Sequence, residues 1–315
     1  MLESPDCPAC SASDWKPYGR RVYRAADIPG LPPVKQRLMS VLFERWRPGA
    51  EQVELELRGC RDCGMMIYAP RPSDADIAAK YAFLNAGGRS ATPAKGEDPA
   101  RTGQRANRVF ALLEPYLPRP AASLRVLDFG GGDGRLMRRF AELGATCDLI
   151  DYSRHAVPGV TRIGDNEDAL PPDGAYDVII CNHVVEHLAS PAAVLAKLRR
   201  HLAADGAMYV EVPLEVYRSL PVRTDPVTHV NFFTPASLAT LLAASGFGVE
   251  RSVVTYYPHP KGYRSLAVGA VASARARPRP APAGVGELES YLDPKLMTRL
   301  RIKALKLRDR IRYRR

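Results

Sequence analysis

The segment VLDFGGGDGRL, residues 126–136, constrains the fold of this chain more than any other stretch. An apolar run that is typical of a buried strand leads into an acid, then into closely spaced glycines, and then into a helix-like sequence. The spacing is Asp128-x-Gly130-x-Gly132-x-Gly134. Doubly wound sheets bind ligands at the carboxyl ends of their strands, where glycine lets a ligand approach the backbone closely. We therefore expect a ligand site at the end of a strand formed by residues 124–129.

Apolar runs of strand length alternate with helical patterns between residues 124 and 273. Strands are predicted at 124–129, 146–151, 176–182, 206–212, 248–257 and 265–273, and helices at 135–144, 192–203 and 235–246. This alternation is typical of an α/β fold with a doubly wound, mostly parallel sheet that is covered on both faces. The last two strands follow each other closely, so one of them can run antiparallel.

The chain has 315 residues, which is enough for one α/β domain and a smaller one. Two more helices are predicted at 74–85 and 103–117, with a loop rich in Gly, Pro and Lys at 86–100. The expected domains are an N-terminal module at 1–72, a helical linker with its loop at 73–105, the α/β domain at 106–272, and a Pro-rich linker with a basic helix at 273–315.

Two common glycine motifs do not fit the opening segment. A dinucleotide-binding G-x-G-x-x-G that starts at Gly130 requires glycine at the position that Arg135 occupies. A Walker loop requires Gly-Lys followed by Ser or Thr, and the sequence contains no such motif. The ligand is therefore not expected to be a nicotinamide dinucleotide or a nucleoside triphosphate.

The D-x-G-x-G-x-G pattern resembles motif I of the class I S-adenosylmethionine-dependent methyltransferases, and the resemblance covers residues 106–272. It implies a Rossmann-like fold and S-adenosylmethionine as the cofactor. Gly130 and Gly132 would let the methionine part approach the backbone, and Gly134 completes the motif. The carboxyl group of Asp128 would suit the ammonium group, directly or through water.

Later sequence blocks resemble further parts of the same cofactor site. Asp151 ends the next strand, where a carboxylate can accept hydrogen bonds from both ribose hydroxyls, and Tyr152 would pack on the adenine. The resemblance assigns Asp165 and Asn166 to the adenine amine and ring nitrogen. Asn182 ends the fourth strand and would lie beside the methionine end.

The segment HVVEHL supplies His183, Glu186 and His187, whose i, i+3, i+4 spacing predicts one helical face. It resembles the ubiquinone-pathway O-methyltransferases, which have Glu, Glu and His at these positions and use a divalent ion there. A divalent ion at these three residues, a contact or base for the substrate, and purely structural hydrogen bonds are the three expectations. His187 is the preferred base, with Glu186 orienting it or holding the cofactor side of the pocket.

His229 lies in the segment DPVTHVNFFTPASL, which follows the strand at 206–212. Similar His-x-x-Phe-Phe stretches occur in this methyltransferase branch, in the loop that faces the acceptor. A catalytic role towards the acceptor is one expectation, and a structural role beside the next helix is the other. That helix is predicted to have Thr234 as its N-cap and Pro235 in its first turn.

Four cysteines form two C-x2-C pairs, Cys7 with Cys10 and Cys60 with Cys63. Each pair makes a tight turn that can direct two sulfurs at one ion, so a structural zinc site with four thiolates is predicted. Disulfides are the alternative, but the expected cytoplasmic compartment disfavours them. Residues 11–59 are more than a plain ribbon needs and are expected to hold an insertion.

A zinc ribbon before a methyltransferase core is similar to the sugar methyltransferases of deoxysugar and surface-polysaccharide pathways. The resemblance implies a small-molecule or lipid-linked glycan acceptor in polysaccharide or secondary-metabolite biosynthesis. Sugar C-methyltransferases carry a further C-terminal domain, so O-methylation is favoured over C-methylation here. An RNA- or protein-modifying methyltransferase is the alternative, because of the basic tail and the cysteine pairs.

The basic character of the chain is concentrated in its tail. Residues 273–315 carry 13 Lys or Arg against 4 Asp or Glu, which is +9 of the total net charge of +11. Leu296, Leu300, Ala304, Leu307 and Ile311 are spaced to share one helical face. Such a helix can lie on an anionic membrane, dock on the protein body or bind RNA; a nucleic-acid groove would spread the charge over the folded body.

The first 16 residues contain no apolar segment of the kind found in signal peptides. No apolar stretch approaches the roughly 20 residues that a membrane span needs. The sequence therefore predicts a cytoplasmic protein, with peripheral membrane contact through the basic helix as an option.

Overall fold

The structure is a computed structural model that describes residues 5–86, 99–172, 175–221, 225–258, 264–275 and 283–312. Its strands are β1 (Trp15–Arg24), β2 (Gln52–Cys60), β3 (Met66–Ala69), β4 (Arg125–Phe129), β5 (Thr146–Ile150), β6 (Val160–Gly164), β7 (Tyr176–Asn182), β8 (Leu202–Pro213), β9 (Asn231–Phe232), β10 (Gly248–Pro258) and β11 (Arg264–Ser273). Its α-helices are α1 (Pro33–Val41), α2 (Asp74–Asn85), α3 (Pro99–Leu113), α4 (Arg138–Glu142), α5 (Pro191–Arg200), α6 (Pro235–Ala244), α7 (Gly284–Leu292) and α8 (Leu296–Arg312).

The larger sheet has seven strands in the order β10-β11-β8-β7-β4-β5-β6. The strands from β4 to β8 pair in parallel, whereas β11 pairs antiparallel with both β8 and β10. Every residue of β7 is buried, because helices cover both faces of the sheet. The predicted α/β fold with a mostly parallel, doubly wound sheet is confirmed. The antiparallel strand expected among the last two strands is β11.

Local sequence explains where the helices begin and end. Thr234 caps α6 by accepting a hydrogen bond from the backbone N–H of Ser237, and Pro235 takes the first helical position, as predicted. The helix predicted at 135–144 is shorter: residues 135–137 form a 3₁₀ turn, and α4 spans only Arg138–Glu142. The short edge strand β6 is missing from the sequence prediction, because its segment VTRIG is not a continuous apolar run.

A second sheet of four strands, in the order β1-β2-β3-β9, is built mainly from the N-terminal residues. The expected insertion at 11–59 forms β1, α1 and most of β2. The last strand, β9, comes from the segment after His229, and it pairs Met66 with Phe232 and Ile67 with Asn231. The N-terminal sheet is therefore completed by the α/β part of the chain, and the domain boundary at residue 72 remains a prediction.

Side-chain donors reinforce this junction. Arg71 donates hydrogen bonds to the backbone carbonyls of Leu188, Ala189 and Val230, at distances of 3.1, 2.7 and 3.1 Å. The amide of Asn231 donates to the carbonyls of Val185 (2.7 Å) and Leu188 (2.8 Å). These bonds tie the turn after β7 to the second sheet.

The junction gives a testable expectation. Asn231→Ala should lower the free energy of unfolding by about 1–3 kcal/mol, because it removes the donor to the buried carbonyl of Val185 and one of the two donors to the carbonyl of Leu188. Urea denaturation measures the change. Asn85→Ala is the matched control, since Asn85 is exposed at the end of α2 and its replacement should change the free energy by no more than about 0.5 kcal/mol. Equal effects of the two substitutions would contradict this account of the junction.

Candidate active site and metal centre

The glycine-rich turn follows β4, and its glycines serve different purposes. Gly130 has φ +71°, and a Cβ atom there would lie 2.4 Å from Cγ2 of Val184. Glycine is therefore required at this position to let the turn after β7 pack against the loop. Gly132 has φ +65°, but nothing stands within 4 Å of the place of its Cβ, so its backbone is open to a ligand.

The carboxyl group of Asp128 lies directly beneath this turn. Asp128 is fully buried, and neither of its carboxyl oxygens has a hydrogen-bond partner among the described residues. A Cβ atom at Gly131 would come within 2.1 Å of Oδ2 of Asp128, which explains why the middle one of the three consecutive glycines is also a glycine. Burial raises the pKa of Asp128 to about 8, and the negative charge of Asp151 adds to the shift. The group is thus an acid that a nearby positive charge would ionise.

Asp151 follows β5 and is held against the same turn. Its Oδ2 accepts a hydrogen bond from the backbone N–H of Gly132 at 2.9 Å, and its Oδ1 accepts one from Ser153 at 2.7 Å. Its own N–H donates to the carbonyl of Gly164, which brings it next to the end of β6. Asp151, which is predicted to bind the ribose, and Gly132, which is predicted to meet the methionine part, are therefore in direct contact.

The residues predicted for the adenine lie at the neighbouring strand end. Tyr152 is 45% exposed, and its ring stacks on Tyr81 of α2 with centroids 5.3 Å apart. Asp165 is exposed and forms an ion pair with Arg162, and Asn166 accepts a hydrogen bond from the N–H of Asp168. Sequence reasoning missed Tyr81, because it belongs to a helix outside the α/β domain.

Asn182, at the end of β7, belongs to a buried ionic cluster. With its amide nitrogen donating to Glu211 at 3.2 Å, its amide oxygen accepts from Arg105 at 2.6 Å. Glu211 also receives hydrogen bonds from Arg105 (2.9 Å), Arg108 (3.2 Å) and Tyr209 (2.7 Å). Burial alone would raise the pKa of Glu211, but the two guanidinium groups hold it well below its ordinary value.

The two arginines of this cluster were not predicted as site residues. They lie on α3, whose sequence shows them only as charges in an amphipathic helix. Their partner Glu211 is on β8, about a hundred residues further along the chain, as the sequence separation of 106 to Arg105 shows. Only the parallel pairing of β7 with β8 brings Asn182 opposite Glu211.

The helical face predicted for HVVEHL is wrong. Residues 185–187 form a single 3₁₀ turn, and His183 has the left-handed φ of 58°. His183 therefore turns towards the ionic cluster, with Nδ1 3.3 Å from Glu186 and Nε2 3.4 Å from Glu211. Its ring packs on Tyr257 with centroids 4.5 Å apart. Glu186 therefore lies between the rings of His183 and His187, and the three residues do not share one helical face.

The structure places His187 beside His229, with ring centroids 4.8 Å apart. Nδ1 of His187 lies 2.6 Å from the carbonyl of Thr228, so this nitrogen carries the proton because a carbonyl can only accept. Nδ1 of His229 lies 2.6 Å from the carboxylate of Glu215. In each ring the other nitrogen, Nε2, is left to act as an acceptor when the ring is neutral.

The two imidazoles differ in their acid–base character. Burial lowers the pKa of His187 to about 4, so this ring is neutral at physiological pH. Burial also acts to lower the pKa of His229, but its hydrogen bond and charge interaction with Glu215 outweigh burial and raise it above the ordinary value. His229 is thus the more basic ring of the pair, whereas the sequence analysis preferred His187 as the base.

Two supporting residues of this pair escaped sequence reasoning. Glu215 lies 14 residues before His229, and no motif connects them. Lys80 of α2 is buried, and its ammonium group donates to the carbonyls of Val227 (2.9 Å) and Thr228 (3.4 Å). Burial lowers the pKa of Lys80 to about 8. In the sequence Lys80 is one charged residue within a helical pattern, and nothing there indicates that it is buried against this loop.

Candidate ligand atoms for a divalent ion are also found here. One atom each from Glu186, His187 and His229 lie within 4.8 Å of one another. This set contains two imidazoles and one carboxylate, a combination that binds several transition metals. It differs from the set predicted from the sequence, because His229 takes the place of His183.

The four N-terminal cysteines come together at one end of the second sheet. Sγ of Cys7 lies 3.6 Å from that of Cys63, and Sγ of Cys10 lies 3.5 Å from that of Cys60. All four sulfurs lie within 4.8 Å of one another, and none forms a disulfide. Four ligands at the usual zinc–sulfur distance of about 2.3 Å in a tetrahedron would be about 3.8 Å apart, so these thiols fit a zinc ion.

Comparison with known proteins connects this geometry to a family. Residues 101–252 match the family described as a methyltransferase domain. A ubiquinone biosynthesis O-methyltransferase of Burkholderia thailandensis is 30% identical over 172 residues, which cover 44% of this chain and 70% of that protein. The Thiobacillus denitrificans enzyme of the same name is 29% identical over 174 residues, covering 46% of this chain and 74% of its own length.

The chain belongs to the class I S-adenosylmethionine-dependent methyltransferases. It is an enzyme that transfers a methyl group from S-adenosylmethionine, as the resemblance of its motifs implied. Among solved structures, the 1,6-didemethyltoxoflavin-N1-methyltransferase of Burkholderia thailandensis with bound S-adenosylhomocysteine has a TM-score of 0.47 and 22% identity, covering 67% of this chain and 97% of that one. Magnesium protoporphyrin IX methyltransferase of Synechocystis has a TM-score of 0.44 and 20% identity, covering 61% and 97%.

The buried acid of this methyltransferase gives a pH-dependent expectation. Between pH about 4 and about 8 the folded, ligand-free protein keeps the proton of Asp128, whereas the unfolded chain has lost it, so this group makes stability fall as pH rises. Asp128→Asn should therefore gain stability relative to the wild type on going from about pH 5.5 to about pH 7.5, by at most about 1.4 kcal/mol per pH unit. Urea denaturation at the two pH values measures the gain.

Asp133→Asn is the control from the same turn. Burial tends to raise the pKa of Asp133, but hydrogen bonds and charge interactions with Arg135 bring it below its ordinary value. Its replacement should cost the same stability at both pH values, because this carboxylate is ionised in the folded and the unfolded protein there, and the cost should shrink only below about pH 4. A difference between Asp128→Asn and the wild type that stays constant with pH would overturn the assignment.

Proposed function

We propose that this enzyme methylates a hydroxyl oxygen of a small-molecule or glycan acceptor, with His229 as the general base. The observation that carries the proposal is the 2.6 Å hydrogen bond between Nδ1 of His229 and the carboxylate of Glu215. A carboxylate in this place fixes the tautomer of the ring, directs Nε2 away from itself and stabilises the imidazolium that forms. Such a pair removes the proton of a hydroxyl acceptor during transfer.

The bound cofactor supplies an activated methyl group on a sulfonium sulfur. The proposed binding residues are Asp128, Gly130, Gly132 and Gly134 for the methionine part, Asp151 for the ribose, and Tyr152, Asp165 and Asn166 for the adenine, with Asn182 near the methionine end. Support comes from the open backbone at Gly132 and from its contact with Asp151. The unpartnered carboxyl of Asp128 suits a cationic ligand.

Once the acceptor oxygen takes the methyl group, its hydroxyl proton must leave, and a residue of this chain would have to receive it. His229 would take the proton at Nε2 and remain paired with Glu215 at Nδ1. His187, neutral because of burial, would accept a hydrogen bond from the acceptor at Nε2 and help to orient it. Glu186 lies 3.8 Å from His187 and 3.3 Å from His183 and so positions both rings.

Oxygen is the favoured acceptor atom because the similar curated enzymes are named O-methyltransferases. A sugar or lipid-linked glycan of surface-polysaccharide or secondary-metabolite biosynthesis is the proposed acceptor class. This choice rests on the likeness of the cysteine module and core to the sugar methyltransferases. Helix α2 of the predicted linker also contributes to the proposed site, because Lys80 donates to the loop before β9 and Tyr81 stacks on Tyr152, the residue proposed for the adenine.

The proposal is tested by turnover with a panel of sugar nucleotides and phenols, using S-adenosylmethionine with a labelled methyl group. On the best acceptor, His229→Ala should lower turnover by about 10²–10⁴, because the base is lost, with unchanged affinity for S-adenosylhomocysteine in calorimetry. Glu215→Gln should also lower turnover. It should shift the rise of turnover with pH to lower values, because the carboxylate no longer raises the pKa of His229.

Two variants serve as controls for this experiment. His201→Ala, at the end of α5, should leave turnover unchanged, and Asp151→Ala should weaken binding of S-adenosylhomocysteine about ten-fold or more by removing a charge-assisted acceptor. Wild-type turnover of His229→Ala would refute the base assignment. Loss of activity on chelation that added Mg²⁺ restores would instead make Glu186, His187 and His229 a cation site. Methyl transfer to carbon, RNA or protein would replace the proposed acceptor class.

We also propose that Cys7, Cys10, Cys60 and Cys63 hold one structural zinc ion. Metal analysis of the purified protein should give about one zinc per chain, and Cys60→Ser should lose it. Cys147→Ser is the control, since Cys147 lies on β5 and should leave the zinc content unchanged. A folded, active wild-type protein without zinc would contradict the proposal.

A further inference from the structure

The C-terminal helix α8 packs on the protein with the side that carries Ile302. The hydroxyl of Tyr256, on β10, donates a hydrogen bond to the carbonyl of Ile302 at 3.1 Å, and Ile302 itself is only 8% exposed. Large apolar side chains of the same helix remain in solvent. Leu296 is 70% exposed, Met297 63%, Leu300 48% and Leu307 60%.

Helical geometry explains this division. Successive residues of an α-helix are rotated by about 100°, so Leu300 and Leu307 lie roughly 140–160° away from Ile302 around the axis. Leu296 and Met297 fall on the same outer side. Three members of the apolar stripe predicted from the sequence, Leu296, Leu300 and Leu307, are therefore directed away from the body, and docking of α8 on the protein does not cover them.

The charges of α8 flank this stripe. Lys295 precedes the helix, and Arg299, Arg301 and Lys303 lie on either side of the outer apolar residues; all four are exposed. The tail from residue 273 onwards carries a net charge of +9. An apolar stripe between rows of basic side chains is the pattern of a helix that lies in the surface of an anionic membrane.

We propose that α8 attaches the enzyme to an anionic lipid bilayer, with Leu296, Met297, Leu300 and Leu307 in the acyl boundary and the basic side chains at the headgroups. A second copy of the chain is a poorer occupant, because its own basic rows would face those of the first helix. RNA would use the charges but would leave the apolar stripe in water. Within the described residues, no helix is long and apolar enough to cross a bilayer.

This attachment is independent of the proposed methyl transfer, since none of the outer residues of α8 belongs to the active site. One link to the site is structural. Tyr256 holds α8 through its hydroxyl, its carbonyl accepts a hydrogen bond from Arg108, and the next residue, Tyr257, packs on His183. Helix α8 thus packs on β10, the strand that borders the ionic cluster.

The test is co-sedimentation of the full-length protein with lipid vesicles. Binding should be strong to vesicles of phosphatidylcholine with about a third phosphatidylglycerol, weaker by at least about ten-fold to pure phosphatidylcholine, and reduced by high salt. The double variant Leu300→Ser with Leu307→Ser should lose about ten-fold or more of the binding to anionic vesicles. Val34→Ser is the matched control, because Val34 is 77% exposed on α1 and should leave binding unchanged.

Binding of S-adenosylhomocysteine and the thermal melting temperature should be the same in all these variants, which separates a failure of this proposal from a failure of the proposed activity. Equal binding of the double variant and the wild type to anionic vesicles would overturn the proposal. Salt-sensitive binding of a structured RNA with no vesicle binding would assign the helix to RNA. A dimer in sedimentation that the double variant abolishes, again without vesicle binding, would assign it to a second copy.

Discussion

The part of this enzyme proposed to face the acceptor depends on hydrogen bonds that satisfy backbone carbonyls in the interior. Arg71, Lys80 and Asn231 provide the donors, and the carbonyls belong to the turn after β7 and to the loop before β9. Each unpaired carbonyl in the interior would carry the desolvation cost of a lost hydrogen bond. The positions of His187 and His229 are therefore determined by the N-terminal part of the chain as much as by the α/β core. This explains why the cysteine module and the methyltransferase core form one folded unit through β3 and β9.

Burial has opposite consequences on the two sides of the site. On the proposed cofactor side it raises the pKa of Asp128, which has no hydrogen-bond partner among the described residues, so that this acid would respond to a positive ligand. On the acceptor side it keeps His187 neutral, while His229 gains basicity from one hydrogen-bonded carboxylate. The acid–base properties of these buried side chains therefore differ according to whether each has a charged hydrogen-bond partner.

Much of the fold could be predicted, and the turn proposed for the cofactor could be located, because their signals are local. The apolar runs, the glycines after Asp128, the capping of α6 by Thr234 and the paired cysteines each depend on residues close together in sequence. The acceptor side could only be predicted in part. His187 and His229 were singled out, but the helical face that was expected to join His183 to His187 does not exist, since backbone pairing of His183 with Glu211 stops helix formation there.

The class of fold and the family follow from the sequence alone, and so does the proposal of which residues bind the cofactor, because periodicity and short motifs are properties of neighbouring residues. Which side chains lie together follows only from the tertiary structure. Glu215 beside His229, Arg105 beside Glu211 and Tyr81 beside Tyr152 are pairs from separate elements. Their association follows from strand order and from the packing of α2 and α3. These long-range contacts leave no periodic pattern in the chain, and they set the protonation and orientation on which the chemistry depends.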